Sequence, residues 1–125
     1  MAMDLGAFSV SLSVKDLTAS RKFYEKLGFV VAGGNESENW LILKNGDHVL
    51  GLFHGMFDQN LLTFNPGWNQ NGQEVDSFTD IRDLQQQLVN NGIKPEKTVD
   101  GTDAGPGSIL LTDPDGNPIL IDQHR

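Results

Sequence analysis

The feature that most constrains this chain is that it is written twice. Asp16-Leu17 and Asp80-Ile81 stand 64 residues apart, and the same offset relates Tyr24 to Leu88, Gly28 to Gly92 and Phe29 to Ile93. In the first copy Val10, Leu12 and Val14 alternate with Ser9, Ser11 and Ser13, the period of a half-buried strand. Asp16 then stands where a helix N-cap is needed, Leu17, Ser20, Phe23, Tyr24 and Leu27 recur at helical spacing, and Gly28 supplies the stop. Phe29, Val30 and Val31 open a second strand, which Gly33 and Gly34 break. In the second copy Ile81, Leu84 and Leu88 repeat the helical face and Gly92 repeats the stop.

The later part of each copy corresponds as well. Trp40–Leu43 runs through Lys44–Asp47 into Val49–Phe53, and Ser108–Leu111 runs through Asp113–Asn117 into Ile119–Ile121. Each is a strand, a Gly-containing turn and a strand, hence a β-hairpin. The offset has grown to 70 here, which gives the second copy a longer loop over Asp100–Gly107. Each half therefore reads strand, helix, strand, strand, strand. The expectation is an α+β chain of two tandem βαβββ modules within one domain spanning 1–125, module one at about 7–54 and module two at about 73–124. The linker between them, about 55–72, carries Met56, Phe57, Leu61, Leu62, Phe64 and Trp68. That is too much apolar bulk for a disordered tether, so it is expected to pack over a sheet or across a subunit interface. Its mixture of aromatics and amides also suits a ligand pocket.

Composition narrows the function classes. The chain has 125 residues and no cysteine, so disulfides, thiolate metal sites and cysteine nucleophiles are excluded. Nothing calls for an oxidising compartment, and the cytoplasm is the expected setting. The net charge of −8 repels phosphate backbones and anionic lipid, so neither nucleic acid nor a membrane is an expected partner. Met1–Ala7 carries Asp4, no basic run and no apolar stretch after it, so no secretory signal or spanning segment is expected there.

Val14-Lys15-Asp16-Leu17-Thr18-Ala19-Ser20-Arg21-Lys22-Phe23-Tyr24-Glu25-Lys26-Leu27-Gly28-Phe29 resembles the opening βα unit of the vicinal oxygen chelate proteins, the glyoxalase/bleomycin-resistance/dioxygenase group, and Asp113-Pro114-Asp115-Gly116-Asn117-Pro118-Ile119 resembles their closing hairpin. The resemblance implies a mixed sheet curled into an open cup. It implies that four strand positions would point His, Glu or Gln into that cup to hold a divalent ion, which stabilises an enolate or activates dioxygen in the glyoxalases, epimerases and extradiol dioxygenases. Bleomycin-binding members keep the cup without the metal.

Carried over by motif, the ligand positions fall on Ser9, on Leu50 or Gly51, on Gln73 and on Leu120. A serine hydroxyl is a poor neutral ligand, leucine and glycine offer nothing, and one glutamine oxygen does not hold a divalent ion. No metal ligand set and no cofactor is therefore expected. The chain is expected to bind a small organic molecule in the cup, lined by Ser9, Ser11, Trp40, Phe53, Phe57, Trp68, Gln73, Leu120 and Asp122, and to form a homodimer. An alternative is an enzyme of the lyase, isomerase or dioxygenase type using Asp122, His54 or His124 as acid or base, or a divergent metal site. A third reading is an interaction subunit without a small ligand. No Ser-His-Asp order is evident, and Gly101–Gly107 lacks the following helix of a phosphate loop.

Overall fold

The computed structural model describes residues 3–100 and 104–125. Among them the chain forms β1 (Ala7–Ser13), α1 (Leu17–Lys26), β2 (Val30–Asn35), β3 (Trp40–Asn45), β4 (His48–Phe53), β5 (Leu61–Asn65), α2 (Ile81–Asn90), β6 (Gly107–Thr112) and β7 (Pro118–Gln123). A short 3-10 turn, Glu36–Glu38, joins β2 to β3. The class is α+β, as expected. No helix among the described residues is long and apolar enough to cross a membrane. The chain divides into two compact units, Ser9–Leu61 and a second made of the residues up to Phe8 with Leu62–Arg125.

In the first unit the strands lie in the order β2-β3-β4-β1. β2, β3 and β4 are antiparallel neighbours, while β1 runs parallel to β4 with Ser11 opposite Gly51 and Leu12 opposite Leu52. Asp16 caps α1 by accepting from the Ala19 amide at 3.0 Å. The first turn needs that acceptor because its amides have no helical partner. At the other end Gly28 takes φ +96°, a conformation that glycine adopts without penalty, and Phe29 N donates back to Tyr24 O at 3.1 Å. Leu17, Leu41, Leu43 and Leu52 form the core between helix and sheet, with Leu12, Val14, Tyr24 and Phe29 packed around them. Each buried leucine contributes about 1.5–3 kcal/mol.

The second unit repeats this plan with one relocation. α2 has the same ten-residue length as α1. Asp80 caps it, accepting from Arg82 N at 2.9 Å. The strand order is β5-β7-β6, with β5 parallel to β7 and β6 antiparallel to it. Because β5 relates to β7 as β1 relates to β4, β5 is the counterpart of β1. The repeat offset placed that strand at Gln73–Phe78, but this stretch holds only a bridge between Glu74 and Trp68. The opening strand lies instead inside the expected linker, where Leu61-Leu62-Thr63-Phe64 offers apolar, strand-prone bulk. Glu74 and Asp76 would have put charges on the side facing the helix. The strand expected from Ile93 is also reduced, to a bridge between Lys97 and Leu110; Pro95 lacks the amide that a ladder requires.

Ile81, Leu84, Leu88, Ile109, Leu111 and Ile121 make the second core, joined by Phe64, Val99, Ile119, Met3 and Leu5. At its edge sits Gln123, 1% exposed. Its Oε1 accepts from Ile81 N at 2.7 Å, and its Nε2 donates to Asp80 Oδ2 at 3.0 Å, Gly105 O at 3.1 Å and Arg125 O at 3.0 Å. Burial raises the Asp80 pKa, but the bonds from Gln123 and Arg82 outweigh it and hold the carboxyl below its ordinary value. Arg82 also donates to the carbonyls of Gly105 at 2.9 Å and Ala104 at 3.2 Å. The near end of the expected Asp100–Gly107 loop is thus tied to the start of α2; residues 101–103 lie outside the described part of the chain.

Candidate functional site

Strand pleating puts alternate side chains on opposite sides of each sheet. In the first unit Leu41, Leu43 and Leu52 face the helix, so the other side carries Ser9, Ser11, Ser13, Trp40, Ile42, Gly51 and Phe53. The register also settles the hairpin alignment. Leu50 stands opposite buried Leu43 on the helix side, whereas Gly51 stands opposite Ser11 and Ile42 on the far side. Trp40 and Phe53, paired across β3 and β4, stack with ring centroids 6.2 Å apart and planes 5° from parallel. Phe57 closes on Phe53 at 5.3 Å. The segment after β4 is drawn back to β1, because Ser13 Oγ donates to Phe57 O at 2.7 Å and Ser13 N donates to Asn60 Oδ1 at 2.9 Å. Trp40, Phe53 and Phe57 therefore come together as one aromatic group beside the serine row. His54 is engaged at the strand end, its Nδ1 donating to Val14 O at 3.0 Å.

In the second unit the side away from the helix carries Thr63, Leu110, Leu120, Ser108 and Asp122. Thr63 and Leu110 flank Leu120, and Ser108 is the strand partner of Asp122. Asn65 Nδ2 donates to Asp122 O at 2.8 Å and fixes the strand end. Asp122 Oδ2 lies 3.2 Å from His124 Nε2. The His124 ring stacks on the Trp68 indole at 4.7 Å with planes 7° from parallel. Lys97 Nζ donates to Ser108 Oγ at 2.8 Å. The result is a partly exposed row of ammonium, hydroxyl, carboxylate, imidazole and indole, with apolar Leu110 and Leu120 one row away. Ser108 was within reach of the hairpin register. Lys97 was not, because it joins the sheet through an isolated bridge.

Gln73 does not join this row. It is exposed in the 69–73 turn, where its Oε1 accepts from Asn69 Nδ2 at 3.3 Å and its amide donates to Asn69 Oδ1 at 3.2 Å. Its assignment to a strand position followed from the misplaced opening strand.

A family model described as the Glyoxalase/Bleomycin resistance protein/Dioxygenase superfamily matches residues 6–121. The chain belongs to this superfamily. Solved structures agree on the fold. A structure described as an NAD-dependent benzaldehyde dehydrogenase from Legionella pneumophila aligns over 94% of this chain and 99% of its own, with a TM-score of 0.67 and 16% identity. A glyoxalase/bleomycin resistance protein/dioxygenase superfamily member from Vibrio splendidus 12B01 aligns over 93% and 97%, at 0.62 and 18%. The methylmalonyl-CoA epimerase of Streptomyces coelicolor aligns over 97% and 96%, at 0.59 and 14%. No curated protein matches the chain in sequence.

The superfamily's divalent ion finds no fitting donor set at the positions carried over from its motifs. At Gly51 the space for a ligand side chain is taken: a Cβ there would lie 2.5 Å from Phe53 Cε2 and 3.1 Å from its Cζ. Ser9 and Leu120 supply one neutral hydroxyl and no donor, and Gln73 is held in its turn. Among the described residues no three His, Asp or Glu side chains gather as a metal site would require.

Proposed function

We propose that this superfamily member binds a small organic molecule on the sheet surface away from its helices, without the divalent ion of its metal-dependent relatives. The observation that carries the reading is the Trp68–His124–Asp122 arrangement. An indole and an imidazole stacked 7° from parallel, backed by a carboxylate 3.2 Å away, offer a flat apolar surface with a directional polar group at its edge. Binding sites are built in this way, with apolar lining and a few placed polar atoms. Trp40, Phe53, Phe57, Ser9 and Ser11 supply a similar surface in the first unit, and Leu120 extends that of the second.

The test is a thermal-shift screen of the full chain against a panel of planar aromatic and oxygenated metabolites. A ligand present at 100 times its Kd stabilises the folded state by about 2.7 kcal/mol. At least one compound should raise the melting temperature, and Trp68→Ala should remove that shift. No shift with any compound, or a shift indifferent to Trp68→Ala, would contradict the reading.

A second reading follows from the Asp122–His124 contact. A carboxylate on Nε2 fixes the tautomer and leaves Nδ1 as a proton acceptor, so the pair is equipped for metal-free acid–base chemistry. Turnover of a bound compound that His124→Gln abolishes while its binding persists would favour this reading. A homodimer in the cytoplasm belongs to the same proposal. Exposed Phe23, Leu27, Val30 and Val31 support an interface in the first unit, and sedimentation at micromolar concentration would show a monomer if this is wrong.

A further inference from the structure

The second unit contains a half-open cleft of about 290 Å³ between residues 4–7 and the 67–78 segment. Its walls are fixed by bonds outside the site proposed above. Gln70 holds the Phe8 peptide on both sides: Phe8 N donates to Gln70 Oε1, and Gln70 Nε2 donates to Phe8 O at 2.9 Å. Arg125 Nη1 donates to Gly67 O at 3.1 Å and Val75 O at 2.6 Å. Its guanidinium also lies 4.8 Å from the Phe78 ring centroid, which keeps that ring in place. Gly6, at φ +80°, passes so close to Asn65 that a Cβ would stand 2.1 Å from Asn65 O. The backbone floor there tolerates no side chain. A cleft with such walls costs little to organise when a ligand enters.

The only charge in the lining itself is acidic; Arg125 stands outside the lining residues, engaged by the carbonyls of Gly67 and Val75 and with its Nε 3.9 Å from the Glu74 carboxylate. Trp68 and Phe78 supply aromatic surface, Ser77 a hydroxyl, and Asp4 is the one charged side chain among the lining residues. Asp4 Oδ1 accepts from Gly6 N at 3.0 Å, which sets the carboxylate at the rim. The whole chain adds a net charge of −8. We infer that this cleft binds a small organic cation, an amine or quaternary ammonium on an apolar body, with the charge at Asp4 and the body against Trp68 and Phe78. Anions are repelled by the carboxylate, and an aromatic face attracts a cation through its quadrupole. The volume, at the small end of the ~300–1,000 Å³ typical of ligand sites, limits the ligand to a compact molecule. This goes beyond the function proposed above, since it shares Trp68 with that surface but needs neither Asp122 nor His124.

The experiment is isothermal titration of the full chain at low ionic strength with benzyltrimethylammonium, and with benzyl alcohol and benzoate as its neutral and anionic counterparts. The order of affinity should be cation, then alcohol, with no benzoate binding. Asp4→Asn should weaken the cation by about two- to fivefold, the range of an exposed charge pair. Asp115→Asn, which removes the same charge at a hairpin turn remote from the lining, should leave it unchanged. Trp68→Ala should weaken both the cation and the alcohol. Absence of saturable cation binding, benzoate binding as tightly as the cation, or equal effects of Asp4→Asn and Asp115→Asn would each overturn the inference. None of these outcomes bears on a metabolite hit in the thermal screen that Asp4→Asn leaves intact.

Discussion

Adding one methyl group at Gly51 should reveal whether the Phe53 ring fills the place of a lost ligand. A Cβ at Gly51 would sit 2.5 Å from Phe53 Cε2 and 3.5 Å from Ile42 Cδ1, while carbon atoms rest at about 3.5–4.0 Å. The ring must therefore retreat by about 1 Å, away from the arrangement in which it stacks on Trp40 and meets Phe57. Overpacking of this kind costs about 1–3 kcal/mol, and the disturbed aromatic pair adds about 0.5–1.5 kcal/mol. Gly51 lacks a positive φ, so alanine adds no backbone strain and returns about 0.4–1 kcal/mol by restricting the unfolded chain. Gly51→Ala should then destabilise by roughly 0.5–4 kcal/mol, centred near 2, in the wild-type background. With Phe53→Ala the obstacle is gone, and the same change should be neutral or stabilising, a coupling of about 1.5–4.5 kcal/mol. Urea unfolding of the four proteins of the cycle measures this. An equal cost of Gly51→Ala with and without Phe53 would refute the reasoning.

Two further outcomes concern the polar hub at the start of α2. Gln123→Leu removes the bond accepted from Ile81 N and the two N–H donors of Nε2, which are shared among Asp80 Oδ2, Gly105 O and Arg125 O, and should cost about 3–4 kcal/mol in urea unfolding; Gln123→Glu should cost more, because it sets a second carboxylate beside Asp80. A loss under about 1 kcal/mol for either would show that water replaces the bonds. Asp80 has a lowered folded pKa, so its contribution is complete above the unfolded carboxylate value of about 3.9 and is lost as pH falls through the lower folded value. Asp80→Asn should therefore flatten the acid limb of the stability profile, and a parallel downward shift at every pH would contradict that linkage.

What the sequence disclosed depended on how local the physics is. Asp16 and Asp80 cap their helices through amides two or three residues ahead, and the alternation in β1 is visible in any short window, so both helices and the first unit were legible. The repeat offset misled at β5. Ser11 and Thr63 are equivalent by register, opposite Gly51 and Leu120, yet they stand closer together in the chain than the offset that relates the helices. The shorter separation reflects the Gly67–Thr79 stretch between β5 and α2, which the first unit lacks. Gln73 was misplaced for that reason alone. Trp68 and Asp122 were legible as residue types suited to a site, but the stack of Trp68 on His124 joins residues 56 positions apart, and no local pattern encodes such a contact. Gln123 read as an ordinary strand residue because all but one of its partners lie at least 18 positions away.

The most direct test of the proposal that this chain binds its ligand without a divalent ion is its metal content. The full chain, expressed in medium supplemented with zinc, nickel, manganese and iron and purified without chelators, can be assayed by inductively coupled plasma mass spectrometry. The expected result is well below one equivalent of any divalent ion per chain, unchanged by Gly51→Ala. Close to one equivalent of a single metal, retained through dialysis, would contradict the proposal that the chain binds its ligand without a divalent ion.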